Sequence, residues 1–236
     1  MSSYDDSVPP PPPSPAAADG ASSMELGELR QSVPILKRTL TGSVLLGYIH
    51  EFEHGFVRQG DDGQVRVCRW DKIAQAYQGS TLTYTNGAYS NTQYSGRFIA
   101  SDGSTYNFSG MFRDPAITRR AGRPSDRSAV QMQGIIRRGC HLVSEQQLPD
   151  AIAALNQGEQ LTFGDVQLNL QGITTKKGLL PWSQVSQVGV RDGWWTVRRQ
   201  GKRLPAVSKK VESTPNVPLL VTLAGLLQQQ AHHNAA

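Results

Sequence analysis

Four tight-turn dipeptides constrain the fold of this chain more than any other feature of its sequence. Segments rich in β-branched and aromatic residues flank each of them: Asp62-Gly63, Asn86-Gly87, Asp102-Gly103 and Asp192-Gly193. A two-residue hairpin turn needs central residues that accept a positive φ, which Asn, Asp and Gly do most readily. Because such a turn joins neighbouring strands in opposite directions, the pattern predicts antiparallel meanders.

Helical spacing follows each group of predicted strands. After the first group, apolar residues recur every three or four positions from Ala129 to Val143, and residues 148–155 predict a second short helix with Pro149 in its first turn. After the second group, leucines between positions 219 and 227 form one stripe, and Asn216 is the predicted cap. Each group of strands is therefore expected to end in an amphipathic helix.

One short pattern occurs in both halves of the chain. Trp70 is followed three positions later by Ile73, and Trp182 is followed three positions later by Val185. We interpret this repeat as a duplication with a boundary near Gly158. Trp70 and Trp182 are then expected to pack as matching core or rim anchors.

Composition suggests how the ends of the chain behave. Residues 1–23 contain an unbroken run of prolines from position 9 to 13 and little that could be buried, so they are predicted to be a disordered tail. The predicted domains are residues 24–157 and 158–229, followed by a polar tail at 230–236. The N-terminus lacks the pattern of a signal peptide, and the longest apolar run is too short to cross a membrane, so a cytoplasmic protein is expected.

The excess positive charge lies in the second half. Residues 158–236 hold nine basic and four acidic residues, which accounts for the whole formal net charge of +5. This distribution favours an acidic partner for the second domain.

Several short stretches resemble an uncharacterised bacterial family of pleckstrin homology (PH)-like proteins that carry a domain of unknown function. The stretches are FEHGFV (52–57), RWDKI (69–73), YTNGAYSNTQY (84–94), LTFGDVQL (161–168), LPWSQVSQV (180–188) and PNVPLL (215–220). The resemblance covers residues 26–229. It implies an α+β fold, mainly antiparallel β, with two tandem PH-like barrels, each followed by an amphipathic helix. The same scaffold is used elsewhere to bind phosphoinositides, peptides or other proteins, and the resemblance implies no catalytic residue.

The candidate contact residues lie in the second domain. If Trp195 and Val197 point inward, Trp194 and Arg198 line the outer face of their strand, and an exposed Trp beside an Arg is a common interface anchor. Basic residues in two predicted loops could instead meet anionic lipid: Lys176, Lys177, Arg199, Lys202 and Arg203. A tyrosine-rich hairpin at residues 84–94 is a further candidate surface.

Metal binding and catalysis are weaker alternatives. His50 and His54 share strand parity, but a zinc site needs three or four convergent ligands. Cys68 and Cys140 lie in apolar patterns, and nothing in the sequence brings a base to either thiol. No cofactor or metal is therefore predicted, and the cysteines are expected to be buried apolar residues.

The sequence thus predicts a non-catalytic binding module. The first hypothesis is protein recognition, the second is a peripheral module on anionic membrane lipid, and an enzyme using His50, His54 or Cys140 is a distant third. The pattern disfavours nucleic acid as the partner.

Overall fold

The computed structural model describes residues 9–38, 43–119 and 124–233. These residues form four helices and fourteen strands, and the paired strands are antiparallel. The chain divides into two compact units. Unit 1 contains Met1–Ala74 with Ser80–Gly139, and unit 2 contains Gln75–Gly79 with Cys140–Ala236. The expected mixed α and β architecture with antiparallel sheets is confirmed.

The first sheet of unit 1 has four strands in chain order. They are β1 (Leu29–Arg38), β2 (Ser43–Phe52), β3 (Gly55–Gly60) and β4 (Val65–Arg69). A 3-10 turn at Trp70–Lys72 leads into a three-stranded sheet of β5 (Ile73–Thr85), β6 (Ala88–Ala100) and β7 (Thr105–Phe112). Neither sheet closes on itself among the described residues, so the predicted barrels are open sheets.

An aromatic cluster forms the core of unit 1. Trp70 lies 5.1 Å from Phe56 and 5.4 Å from Phe98 between ring centroids, and Phe108 completes the group. Trp70 is buried, as the sequence predicted.

Cys68 of unit 1 and Cys140 of unit 2 are also buried, and neither forms a disulfide. Burial raises the pKa of both thiols to about 12.

The N-terminal segment differs from its prediction. Residues 1–8 lie outside the described residues, but Pro15–Ser23 form helix α1, so the expectation of disorder is wrong there. Ser14 caps the helix, with its Oγ 3.3 Å from the backbone nitrogen of Ala17. Ala17 and Ala21 pack into a buried cluster with Leu26, Phe52 and Val57. The two alanine side chains are small but bury enough apolar surface to hold the helix. The low-complexity composition of residues 1–23 did not predict that they would be buried.

Helix α2 (Pro115–Thr118) is a single turn, and α3 (Pro124–Asn156) is one long helix where two short ones were predicted. Pro149 lies inside α3 rather than in a first turn. A proline inside a helix removes one backbone hydrogen bond, and its ring crowds the carbonyl four residues earlier. Burial of Val143, Ala151 and Leu155 on either side of Pro149 offsets this cost. Because α3 continues past Gly139, the division into units falls within the helix and not near Gly158.

Unit 2 has the same order of elements on a smaller scale. A four-stranded sheet contains β8 (Leu161–Phe163), β9 (Val166–Leu168), β10 (Gly172–Thr175) and β11 (Gly178–Pro181). A 3-10 turn at Trp182–Gln184 precedes a three-stranded sheet of β12 (Val185–Arg191), β13 (Trp194–Arg199) and β14 (Pro205–Lys210). Helix α4 (Val217–His233) follows, so the expected polar tail begins as helix, and residues 234–236 lie outside the described residues.

Two tryptophans anchor the core of unit 2. Trp182 donates from Nε1 to the carbonyl of Asn169 at 2.9 Å, and Trp195 donates to Oγ1 of Thr214 at 3.0 Å. Both rings are buried with Leu220 of α4. Asn216 precedes α4, and its carbonyl accepts from the backbone nitrogen of Leu220 at 3.0 Å, the first hydrogen bond of the helix. Its side-chain Oδ1 accepts from the backbone nitrogen of Ala76 at 2.7 Å, so the cap predicted from the sequence stays a prediction.

Candidate functional site

A concave surface of unit 2 brings together part of the predicted basic cluster. We call it the basic groove; it has a volume of about 450 Å³ and lies between the β10–β11 hairpin and the β13–β14 hairpin. Its lining consists of Thr175, Lys177, Gly178, Leu179, Leu180, Arg199, Lys202, Leu204, Pro205, Ala206 and Val207. The groove has cations on both hairpins and no acidic residue among these lining residues.

Ion pairing separates the basic residues of unit 2 into two groups. Arg191, Lys209 and Lys210 each pair with a nearby acid: Asp192, Asp165 and Glu212, respectively. Lys209 lowers the pKa of the Asp165 carboxyl through its hydrogen bond. Within the described part of the chain, no ion pair engages the other six cations: Lys176, Lys177, Arg198, Arg199, Lys202 and Arg203. Three of those six line the groove, where they are available to an external anion.

Local backbone geometry positions these cations. Lys177 lies in the turn between β10 and β11, and its backbone nitrogen is 3.1 Å from Oγ1 of Thr175, which accepts the hydrogen bond. The register shifts at the end of β13, both in its pairing with β12 and in its pairing with β14, so the ladder is irregular at Arg198 and Arg199. Arg199 lines the groove, whereas Arg198 does not. Lys176 and Arg203 are exposed neighbours of the lining residues.

Two leucines make the groove partly apolar. Leu179 is 49 % exposed and Leu204 is 80 % exposed. An apolar side chain this exposed commonly marks a contact surface when it lies within a larger patch. Neither leucine was predicted as a contact residue. The one signal in the sequence is that Leu204 lies between Arg203 and Pro205 in an otherwise polar turn.

A second candidate surface covers the outside of the β12–β14 sheet. Trp195 and Val197 are buried, so Trp194 faces outward as predicted and is 41 % exposed. Arg191 and Lys210 lie opposite Trp194 on the neighbouring strands. We call this surface the Trp194 face. Arg198 is exposed at the far end of this face and is not among the residues that line the groove.

The remaining candidates are not assembled into a site. His50 is buried and its Nδ1 lies 2.8 Å from Oγ of Ser32, whereas His54 is exposed in the turn between β2 and β3. Burial lowers the pKa of His50. Among the described residues, no group of three or more metal-binding side chains occurs. In the tyrosine-rich hairpin, Tyr84 is exposed and packs edge-on against Tyr89 at 6.1 Å.

Comparison with known proteins relates the second half of the chain to a protein family. A family model described as a family of unknown function (DUF6585) matches residues 126–233, which include most of α3 and nearly all of unit 2. A search of curated proteins gives no significant match. None of the described helices is long and apolar enough to cross a membrane. The basic groove and the Trp194 face both lie within the matched region, which links residues 126–233 to an uncharacterised family.

Proposed function

We propose that this protein is a non-catalytic binding module whose basic groove binds the anionic headgroups of a membrane surface. The observation that carries the proposal is the convergence of Lys177, Arg199 and Lys202 on one concave surface beside Leu179 and Leu204. Cations would meet the headgroups while the exposed leucines enter the interfacial layer. We further propose that each unit is PH-like and that the protein works in the cytoplasm.

The physical magnitudes favour reversible attachment. Each basic residue near an anionic bilayer contributes about 1 kcal/mol. Full burial of a leucine contributes about 1.5–3 kcal/mol, and an interfacial leucine contributes only part of that. Three cations and two leucines therefore give weak binding that salt can reverse.

We expect the protein to sediment with phosphatidylserine-containing vesicles, and not with phosphatidylcholine vesicles, at low salt. The double substitution Lys177→Glu with Lys202→Glu should abolish sedimentation, because it replaces two groove cations with anions. A matched control, Lys72→Glu with Arg137→Glu, makes the same change in net charge on exposed residues of unit 1. Equal loss in both variants would mean that net charge drives binding, and it would contradict a groove-specific site.

Protein recognition through the Trp194 face is the second candidate. A partly exposed tryptophan flanked by Arg191 and Lys210 resembles the aromatic and basic anchors that dominate many interfaces. Both flanking cations pair with acids of the same unit. This surface therefore presents less free positive charge than the groove and suits a protein better than a lipid.

Trp194→Ala tests this second candidate. An interface anchor of this type typically contributes about 2 kcal/mol or more, so its removal should release a bound protein in a pull-down. The melting temperature should change little, because the side chain contacts solvent over much of its surface. The groove variant Lys177→Glu with Lys202→Glu is the control and should retain the partner. A partner captured equally by Trp194→Ala would exclude the Trp194 face as its binding site.

A further inference from the structure

Unit 1 contains a cavity that neither the basic groove nor the Trp194 face explains. It has a volume of about 330 Å³ and lies where the start of α3 meets β1 and β7. The two strands are terminal members of their sheets. The lining consists of Pro34, Ile35, Leu36, Lys37, Leu46, Tyr94, Ser109, Gly110, Met111, Ser125, Ser128, Ala129 and Met132. We call it the unit 1 cavity.

Two hydrogen bonds hold the start of α3 in place beside the cavity. Oγ of Ser128 donates to the carbonyl of Pro34 on β1. The backbone nitrogen of Arg113, just after β7, donates to Oδ1 of Asp126 at 2.9 Å. These bonds attach the α3 side of the cavity to β1 and to the end of β7. The cavity volume is at the lower end of the range of about 300–1,000 Å³ for small-molecule pockets.

One buried polar group in the lining is unexplained by the fold. Ser125, the second residue of α3, is 9 % exposed, and its Oγ has no hydrogen-bond partner in the described part of the chain. Buried hydroxyl groups are nearly always paired, because an unpaired one loses its bonds to water without replacement. A ligand that accepts a hydrogen bond from Ser125 would supply the missing partner.

The charges around the cavity favour an anion. Ser125 lies in the first turn of a 33-residue helix, where the aligned peptide dipoles create a partial positive charge. Lys37 adds an exposed cation, and no acidic residue is among the lining residues. Asp126, the acid of the same helical turn, is buried outside the lining, and its Oδ1 accepts from the backbone nitrogen of Arg113. Tyr94 contributes a hydroxyl whose pKa burial raises to about 12, so it stays protonated and can donate.

The rest of the lining favours an aliphatic chain. Leu46 is 40 % exposed and Met111 is 54 % exposed, and both line the cavity with Leu36, Ala129 and Met132. Methionine adapts readily to flexible apolar ligands. From this combination we propose that the unit 1 cavity binds a small anionic amphiphile, a carboxylate with a short aliphatic chain. The carboxylate accepts from Ser125, and the chain lies against the leucine and methionine side chains.

Isothermal titration calorimetry with decanoate, below its micelle concentration, tests the proposal. Decyltrimethylammonium has the same chain with the opposite charge and should not bind. Ser125→Ala should weaken decanoate binding about tenfold, as expected for a lost hydrogen bond to a charged group. The same substitution should leave the melting temperature unchanged or raise it, because it removes an unpaired buried hydroxyl. If Ser125 served only the fold, Ser125→Ala would lower the melting temperature and leave decanoate binding unchanged.

Substitutions at Leu46 provide a second test that does not touch the core. Leu46→Glu places a like charge in the lining and should weaken decanoate binding by about tenfold or more, whereas the uncharged Leu46→Gln should have a much smaller effect. The groove variant Lys177→Glu with Lys202→Glu should bind decanoate as the unmodified protein does. The proposal is overturned if decanoate gives no heat, if the ammonium compound binds equally, or if the groove variant alone abolishes binding.

Discussion

Gly139→Val is expected to destabilise unit 1 by about 3 kcal/mol, at the upper end of the usual cost of overpacking a core. A Cβ atom at Gly139 would lie 2.8 Å from Cζ3 of Trp70 and 2.9 Å from Cζ of Phe98. These are closer than normal van der Waals contacts, and both atoms belong to rigid rings in the aromatic cluster. The free energy of unfolding from urea denaturation of the full chain measures the loss.

The same helix provides a matched control for this prediction. At Gly134, an added Cβ would meet only Nη1 of Arg138, at 3.5 Å. Valine and glycine differ by only a few tenths of a kcal/mol in helix propensity, so Gly134→Val should leave stability nearly unchanged. Equal losses at the two positions would mean that helix propensity, and not contact with Trp70 and Phe98, explains the requirement for Gly139.

The roles of these glycines show one limit of sequence reasoning. Gly134 and Gly139 both appear as helix-weakening residues in the sequence, yet α3 continues through both. Gly139 allows the helix to approach Trp70, and that contact joins residues about 70 positions apart. Such a contact leaves no local pattern. The hairpin turns are different, because Asn86 and Gly87 have φ values of 51° and 77°, a property that depends on the two residues themselves.

The candidate site was predictable to a similar, partial extent. Charge counting located the basic cluster in the second half of the chain, and strand parity correctly placed Trp194 outside and Trp195 inside. Which cations converge depends on the register shifts beside Arg198 and Arg199 and on acids that engage Lys209 and Lys210. Those contacts form only in the folded unit. The sequence alone therefore could not predict that Lys177, Arg199 and Lys202 line one groove.

Arg138→Met is the second substitution with a large expected effect. The carboxylate of Glu51 is almost fully buried in unit 1 and accepts from Nε and Nη2 of Arg138 at 2.9 and 2.5 Å. Nε2 of Gln31 donates to the same carboxylate at 2.6 Å. Without Arg138, the buried negative charge would keep, among the described residues, only the Gln31 side chain as a hydrogen-bond partner. Leaving such a charge uncompensated costs about 3 kcal/mol, which urea denaturation of the full chain should detect.

Two further variants test whether the loss of stability comes from the broken ion pair or from the loss of any arginine. Arg137→Met removes the neighbouring exposed arginine and should change stability by about 0.5 kcal/mol or less. The double variant Glu51→Leu with Arg138→Met removes both charges, and it should be more stable than Arg138→Met alone, because replacing a buried pair with apolar residues is often neutral. If the double variant is instead the less stable one, the Glu51 carboxylate stabilises unit 1 through Gln31 without needing Arg138. The buried charge would then not be the cause of the loss.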